Sequence, residues 1–340
     1  MSLTDQGSQM ERRFQVDSFV SSTKWDGATL IPLRQDASVR RFYRLAKNGK
    51  TAILMDARPP LENTEMYQFM RNKLDKIGLN VPEIYATDHT QGIVIMEDFG
   101  DERCFELFTN KKVDLNEMYS SIVDALVHKY KADPKIALED SVSYSDDYWL
   151  FRVEQFLLHY MPQVEGREIT GTAREDFLGF YKELINSAHD LGNVLLHGDY
   201  GVNNLYYFPQ EQGVHNIGII DFQDMTDARG NMMGSPAFDL VFLLEDVRVD
   251  VSDELEQKMV KRFLQNTGIE NVDAFNREYA IIAVAQATKC LGLFARLGYK
   301  ECRKEYLEFI PYCLRNLNKH LPNDEFKNIR NWFEKNNIKI

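Results

Sequence analysis

Apolar positions recur with two different periods along this chain, and the change of period divides it. Early on, three short apolar runs, Thr29 to Leu33, Phe42 to Leu45 and Ala52 to Met55, are separated by QDASVRR and AKNGK. Runs of that length between polar turns predict strands, and the Asn-Gly pair in AKNGK predicts a tight hairpin. Ahead of them, Phe14, Val16, Phe19 and Val20 predict the apolar side of one amphipathic helix over residues 10–25. Behind them, Pro59-Pro60 stops the sheet, and Met66, Phe69, Met70, Leu74 and Ile77 fall near helical period, predicting a helix over 63–77. Two further strands are predicted at 83–86 and 92–96. The order is three strands, one helix and two strands, an antiparallel sheet with a single inserted helix.

From Asp101 onward the period turns helical. Met118, Ile122, Ala125, Leu126 and Tyr130 mark a helix over 115–131, and Leu150, Phe151, Val153, Phe156, Leu157 and Tyr160 another over 148–161. A further helix is predicted over 173–191, and four more after Ser252, broken by NTGIEN, LGYKE and LPND. The most apolar stretch, Tyr279 to Leu293, is interrupted by Gln286 and Lys289, which predicts a buried helix rather than a membrane span. In GSPAFDL, Ser235 is placed as an N-cap and Pro236 as the first helical residue, with Asp239 in the first turns.

One segment breaks the helical pattern. Leu195 and Leu196 lead into HGDYGVNN, His197 to Asn204, followed by a strand-like run Leu205 to Phe208, a turn-rich PQEQGVHN, and a second apolar strand, Ile217 to Ile220, that delivers Asp221. Transfer of a γ-phosphoryl group requires a carboxylate to orient the accepting hydroxyl and oxygen ligands for Mg²⁺ on the nucleotide phosphates. Asp199 suits the first role. Asn204 and Asp221 suit the second, because Mg²⁺ favours carboxylate and amide oxygens. The alternative is that His197, Asp199 and Asp221 are turn and cap residues of an unrelated α/β protein. No G-x-x-x-x-G-K-S/T, G-x-G-x-x-G or G-x-S-x-G occurs.

Composition narrows the partners. The 340 residues suffice for two lobes, and 44% hydrophobic with 27% charged residues fits a globular protein. Forty Lys and Arg stand against 52 Asp and Glu, a net charge of −12 that argues against nucleic acid as partner. Cys104, Cys290, Cys302 and Cys313 form no C-x-x-C, which predicts reduced thiols in a cytoplasmic chain, and the seven histidines lack zinc-site spacing. The first residues, MSLTDQGSQMERRF, carry no apolar run of the signal-peptide kind, and no membrane partner is expected.

H-G-D-x-x-x-x-N followed by I-D-F resembles the aminoglycoside phosphotransferase and choline kinase superfamily, relatives of the protein kinases. The resemblance implies an α+β, bilobal protein-kinase-like fold: a small antiparallel-sheet lobe for nucleotide over 1–97 and a large, mostly helical lobe for catalysis and acceptor over 98–340. It implies ATP and Mg²⁺ as cofactors and a small-molecule hydroxyl as acceptor. The segment Met96, Glu97, Asp98, Phe99 would be the hinge whose extended backbone reads adenine. QDASVRRFYRL stands where kinases cover the phosphates; it lacks glycine, and Ser38, Arg40 and Arg41 are its phosphate-binding candidates. Met55 stands where kinases place a lysine, leaving Lys50, Arg40 and Arg41 as candidate replacements and Glu62 and Glu65 as helix N-terminal charges. Asp239 is expected to brace the catalytic loop, with His197 supporting it. Glu154 and Trp149 face a substrate or, alternatively, are a solvent charge and a core ring; Asp224 assists substrate or metal or is a plain loop charge.

Within the superfamily the closer likeness is to bacterial N-acetylmuramate and N-acetylglucosamine anomeric kinases, carried by QDASVRRFYRL, ILMDARPP, VPEIYATDHTQGIVIMEDFGD, IDFQD and SPAFDLVFLLED. Those enzymes resemble this chain in having ILMDA rather than a lysine strand; YGVNN departs from their loop. The expected activity is phosphorylation of an amino sugar at its anomeric hydroxyl. The alternatives are an aminoglycoside or choline-type kinase, and a nucleotide-binding scaffold with little catalysis.

Overall fold

A computed structural model of the chain describes residues 3–33, 40–60, 62–139, 141–143, 146–188, 190–222, 226–227 and 230–340. The chain divides into two units, Met1–Arg103 with Asn204–Gln223, and Cys104–Asn203 with Asp224–Ile340. The fold is α+β and protein-kinase-like, and neither unit is one continuous stretch.

The first unit begins with α1 (Leu3–Ser21) and holds a five-stranded antiparallel sheet of β1 (Thr29–Pro32), β2 (Arg41–Lys47), β3 (Lys50–Asp56), β4 (Ile84–Asp88) and β5 (Ile93–Met96), in the order β1-β2-β3-β5-β4. α2 (Thr64–Lys76) lies between β3 and β4 in sequence. At the β2–β3 turn Asn48 and Gly49 have φ of 51° and 73°, the left-handed pair that a two-residue hairpin needs. Leu45, Ala52, Leu54, Ile93 and Ile95 from the sheet pack with Val16, Val20 and Trp25 into one core.

Two boundaries and two faces differ from the sequence reading. α1 starts at Leu3 and ends at Ser21, so Trp25 is buried from a turn rather than from the helix. Its inward stripe is Arg12, Val16 and Val20, at successive i, i+4 positions, which leaves Phe14 on the outer side, 74% exposed. Buried Arg12 is neutralised by Asp56, whose Oδ1 lies 2.6 Å from Nη2. On α2, likewise, Tyr67, Met70 and Leu74 are buried while Phe69 is exposed.

The segment returning to this unit forms a hairpin, Leu205–Tyr207 paired with Ile217–Ile219. Gly218 bridges to Asn80, and a Cβ there would come within 2.8 Å of the Phe99 ring, so only glycine permits that closeness. Phe99 meets Tyr206 and Phe208 edge-on at centroid distances of 5.5 and 5.4 Å.

The second unit is helical: α3 (Cys104–Thr109), α4 (Leu115–Tyr130), α5 (Pro134–Ala137), α6 (Asp146–Gln155), α7 (Met161–Gln163), α8 (Gly171–Asn186), α9 (Phe238–Leu244), α10 (Asp253–Thr267), α11 (Val272–Ala295), α12 (Ile310–His320) and α13 (Lys327–Lys335). A π-helical turn, Phe156–Tyr160, joins α6 to α7. α11 is apolar on nearly every side because α6, α9 and α12 surround it. By length and composition its segment could cross a membrane, but 78% of the apolar window is buried inside the protein, as in a core helix. Gly292 lets the Gln155 backbone lie against it.

Periodicity misplaced some ends here too. α8 stops at Asn186 rather than Leu191, and α9 starts at Phe238. Ser235 Oγ accepts from the Ala237 N–H at 3.2 Å, closing a turn through Pro236 before the helix instead of capping the helix itself. A small sheet of Ser141–Ser143, Val194–Leu195, Thr226–Asp227 and Gly230–Gly234 was not anticipated, because two- to five-residue strands show too few alternations to register.

Candidate active site

In the second unit the strand Val194–Leu195 ends at the loop His197-Gly198-Asp199. Asp239, at the start of α9, holds that loop by its backbone: Oδ2 accepts the His197 N–H at 2.8 Å and Oδ1 the Gly198 N–H at 3.0 Å. Lys129 of α4 reaches in with Nζ 2.5 Å from Asp239 Oδ2 and 2.5 Å from the Leu195 carbonyl oxygen. Burial alone would raise the Asp239 carboxyl, but the Lys129 charge, with His197, outweighs it and holds the group below the usual carboxylate range. The loop turns on Gly198, whose φ of 83° suits glycine.

Asp199 is thereby presented with a side chain 37% exposed, Arg248 Nη2 lying 3.9 Å from its Oδ1. Arg248 is anchored in turn by buried Asp246, Nε to Oδ1 at 2.8 Å. Burial works against the Arg248 charge, but Asp246 and Asp199 more than restore it. Gly201 is fitted beneath this pair, since a Cβ there would sit 2.9 Å from Asp246 Oδ2. Two more cations are near: Lys289 of α11 lies in the field of Arg152, Asp199 and Arg248, and burial with Arg152 pushes its ammonium down from its ordinary value.

In the first unit, buried Asn204 opens the hairpin and its carbonyl accepts the Ile220 N–H at 3.0 Å. Asp221 follows the hairpin in a left-handed conformation, φ 60°, with its side chain 31% exposed. Buried Arg40 holds it, Nη2 to Oδ1 at 3.0 Å, and Arg40 Nε also lies 3.8 Å from Glu62 Oε1. Phe222 stacks on Tyr67 at 4.8 Å, fixing the chain after Asp221.

Of the three cations offered in place of the third-strand lysine, Arg40 is the one beside Asp221; Arg41 and Lys50 are exposed on the sheet, and Met55 is buried core. Glu62 is therefore an ion-pair partner of Arg40 rather than a helix-end charge, while Glu65 does stand in the first turn of α2.

In the proposed hinge, Met96 Sδ accepts the Tyr67 hydroxyl at 3.1 Å, and the Glu97 N–H donates to the Glu83 carbonyl at 2.8 Å, which commits that N–H to the protein. Asp98 is taken by Arg44, Nε to Oδ2 at 2.6 Å; burial would raise its carboxyl, but that contact and the Gly100 N–H hold it down. Glu154 pairs with Arg174 of α8, and Trp149 is a core ring 5.4 Å from Phe238. Ser38 and Asp224 lie outside the described residues. Asp199 belongs to the second unit, Asn204 and Asp221 to the first, the chain passing between them after Asn203.

The sequence pattern does not mark Lys129, Arg152, Asp246, Arg248 or Lys289 as site residues. Lys129 did leave a trace, standing three residues after Leu126 on the apolar stripe of its helix, and Lys289 sits inside the most apolar run. Asp246 and Arg248 follow α9 in irregular chain, where no periodicity marks a buried charge. Among the described residues no group of three or more His, Cys, Asp or Glu side chains forms a metal cage.

The chain is similar to known proteins. A 24% identical relative in Caulobacter vibrioides, aligned over 96% of both chains, is named N-acetylmuramate/N-acetylglucosamine kinase. A relative of the same name in Pseudomonas putida is 26% identical over 83% of this chain and 80% of its own. Among solved structures, choline kinase LicA from Streptococcus pneumoniae superposes with a TM-score of 0.59 at 15% identity, covering 92% of this chain and 99% of that one. An ADP-bound aminoglycoside phosphotransferase gives 0.57 at 16% identity, covering 90% and 97%. The model of the phosphotransferase enzyme family matches residues 29–275, most of the chain and all of the loop and hairpin described above, and the protein belongs to that family.

Proposed function

We propose that this phosphotransferase is an ATP- and Mg²⁺-dependent kinase of amino sugars, phosphorylating N-acetylmuramate or N-acetylglucosamine at the anomeric hydroxyl. The observation that carries the reading is the shared name of four relatives, 24–26% identical across 83–96% of this chain. Its chemistry follows from the residues. Asp199 accepts a hydrogen bond from the acceptor hydroxyl and takes its proton as the phosphoryl group transfers. Asp239 and Lys129 fix the loop backbone, so the Asp199 carboxylate needs no reorganisation during reaction.

Mg²⁺ takes hard oxygen ligands, and the Asp221 carboxylate with the Asn204 amide oxygen is a donor set of that kind. When bound, the ion would neutralise charge on the phosphate oxygens. Arg40, already paired with Asp221, adds the positive charge that Met55 does not supply, and Arg41 stands next to it in sequence. In this reading the first unit serves the nucleotide, with adenine at residues 96–99, and the second the acceptor. The four free cysteines fit a reducing, cytoplasmic setting.

The test is ATP consumption with Mg²⁺ against N-acetylmuramate, N-acetylglucosamine, kanamycin and choline. Sugar-dependent turnover should fall about 10²–10⁴-fold in Asp199→Asn, with nucleotide affinity nearly retained. Turnover on kanamycin or choline but on neither sugar would move the protein to another branch. Loss of nucleotide binding in Asp199→Asn would overturn the role of that residue.

A further inference from the structure

Arg248 stands beside Asp199, and its surroundings aim it rather than neutralise it. Asp246 holds it from behind: that carboxylate, 1% exposed, accepts the Arg248 backbone N–H at 3.0 Å and Nε at 2.8 Å, both on Oδ1. Its Oδ2 is buried with no hydrogen bond among the described residues. A buried carboxylate with one oxygen unsatisfied is costly, and an apolar pair would hold the turn at lower cost. Val247, Val249 and Val251, all buried, fix the backbone on either side.

The Arg248 side chain is 30% exposed, and among the described residues its Nη1 and Nη2 make no hydrogen bond. Nη2 lies 3.9 Å from Asp199 Oδ1, near enough for the charges to act on each other but beyond hydrogen-bond reach, where a pair formed for its own sake closes to about 2.8 Å. Packing keeps the gap. A Cβ on Gly201 would come within 3.2 Å of Nη2 and 2.9 Å of Asp246 Oδ2, and the Gly201 N–H is tied to the Asp199 carbonyl at 2.9 Å. The distance leaves the outer N–H donors of Arg248 for an anion arriving at Asp199.

The anion that must arrive there is the group being transferred. An acceptor hydroxyl hydrogen-bonded to Asp199 gives its proton to that carboxylate, its oxygen bonds phosphorus, and the bond from phosphorus to the nucleoside diphosphate oxygen breaks. Negative charge is then spread over the outer phosphoryl oxygens, beside a residue that is itself an acid. We propose that Arg248 is a second catalytic residue of this chain, its Nη1 and Nη2 donating hydrogen bonds to the phosphoryl oxygens as the group reaches the acceptor hydroxyl. It gives up no proton and takes none. It offsets the repulsion between the phosphoryl group and Asp199 and, held by Asp246, needs no rearrangement to do so. The inference rests on the kinase reading above and adds to it a residue outside the catalytic loop and the hairpin.

Steady-state kinetics on the sugar that the wild type phosphorylates tests this. Arg248→Gln should lower kcat about 10²–10³-fold and leave KM for ATP and for the sugar near the wild-type values. Arg248→Lys should recover part of kcat, because the charge remains without the fork. Combining Arg248→Gln with Asp246→Asn removes the unpaired buried carboxylate, so this double variant should unfold at a urea concentration near that of the wild type while its kcat stays low. A kcat restored in the double variant would trace the loss to an orphaned Asp246 and overturn the proposal. A raised KM for the sugar at unchanged kcat would make Arg248 an acceptor contact and overturn it too. Added to Asp199→Asn, Arg248→Gln should still lower the residual turnover; no further loss would mean that Arg248 acts only through Asp199, against the proposal.

If neither sugar is turned over, the amino-sugar reading fails, and calorimetry with ADP, Mg²⁺ and aluminium fluoride, a stand-in for the transferring phosphoryl group, decides the role of Arg248 alone. Fluoride-dependent tightening seen in the wild type and lost in Arg248→Gln upholds it. Tightening equal in both, or absent from both, removes it.

Discussion

Lys129 Nζ lies 2.5 Å from Asp239 Oδ2, an ion pair between side chains only 5% and 3% exposed. The partners come from α4 and α9, and the same carboxylate accepts the His197 and Gly198 N–H groups. A single buried charge pair thus ties two helices to the backbone that presents Asp199. Its worth lies in position, since a buried pair gains little net stability over an apolar one while its disruption is costly.

Lys129→Met leaves the Asp239 charge buried without its counterion, and the cost should be about 3–5 kcal/mol of unfolding free energy. Urea denaturation measures it. The turnover of the folded fraction should fall too, because the loop loses its anchor. A change below about 1 kcal/mol would mean that the two N–H groups suffice to hold the carboxylate.

The Asp239 contribution also has a pH window. Its folded carboxyl titrates below the ordinary value, so its contribution is complete above the unfolded Asp value of about 3.9 and is lost as pH falls through the lower folded value. The stability difference between the wild type and Asp239→Asn should therefore be level near neutrality and shrink in acid. A difference that grew in acid would reverse the sign assigned to this group.

Asp221→Asn isolates charge from backbone strain, because asparagine tolerates the φ of 60° that the position requires. The Mg²⁺ concentration for half-maximal turnover should rise roughly tenfold or more. Titration of ATP turnover with Mg²⁺ checks it. An unchanged requirement would take Asp221 out of metal binding and leave it as the partner of Arg40.

Gly292→Ala tests the packing of α11. Its Cβ would meet the Gln155 carbonyl carbon at 2.1 Å and oxygen at 2.3 Å, backbone atoms that cannot step aside, so a loss of about 1–3 kcal/mol or more is expected. Gly179→Ala, in α8 with nothing within 4 Å, should instead gain about 0.5–1 kcal/mol. Thermal melts of the two variants should move in opposite directions.

By itself the sequence determined the elements whose signal is local. The five strands and α2, the Asn48-Gly49 turn, the long apolar α11 and the hairpin between Asn204 and Asp221 were all legible, because alternation, helical period and motif spacing are written within tens of residues. Tertiary structure decided what depends on approach between distant segments. Arg40 rather than Arg41 or Lys50 meets Asp221, 181 positions away, and Glu62 joins it. Lys129 and Arg152 gain their meaning the same way, from Asp239 and Gln286 on helices more than a hundred positions away. A buried charge is tolerated only where its counterion arrives, and one-dimensional periodicity carries no record of that arrival.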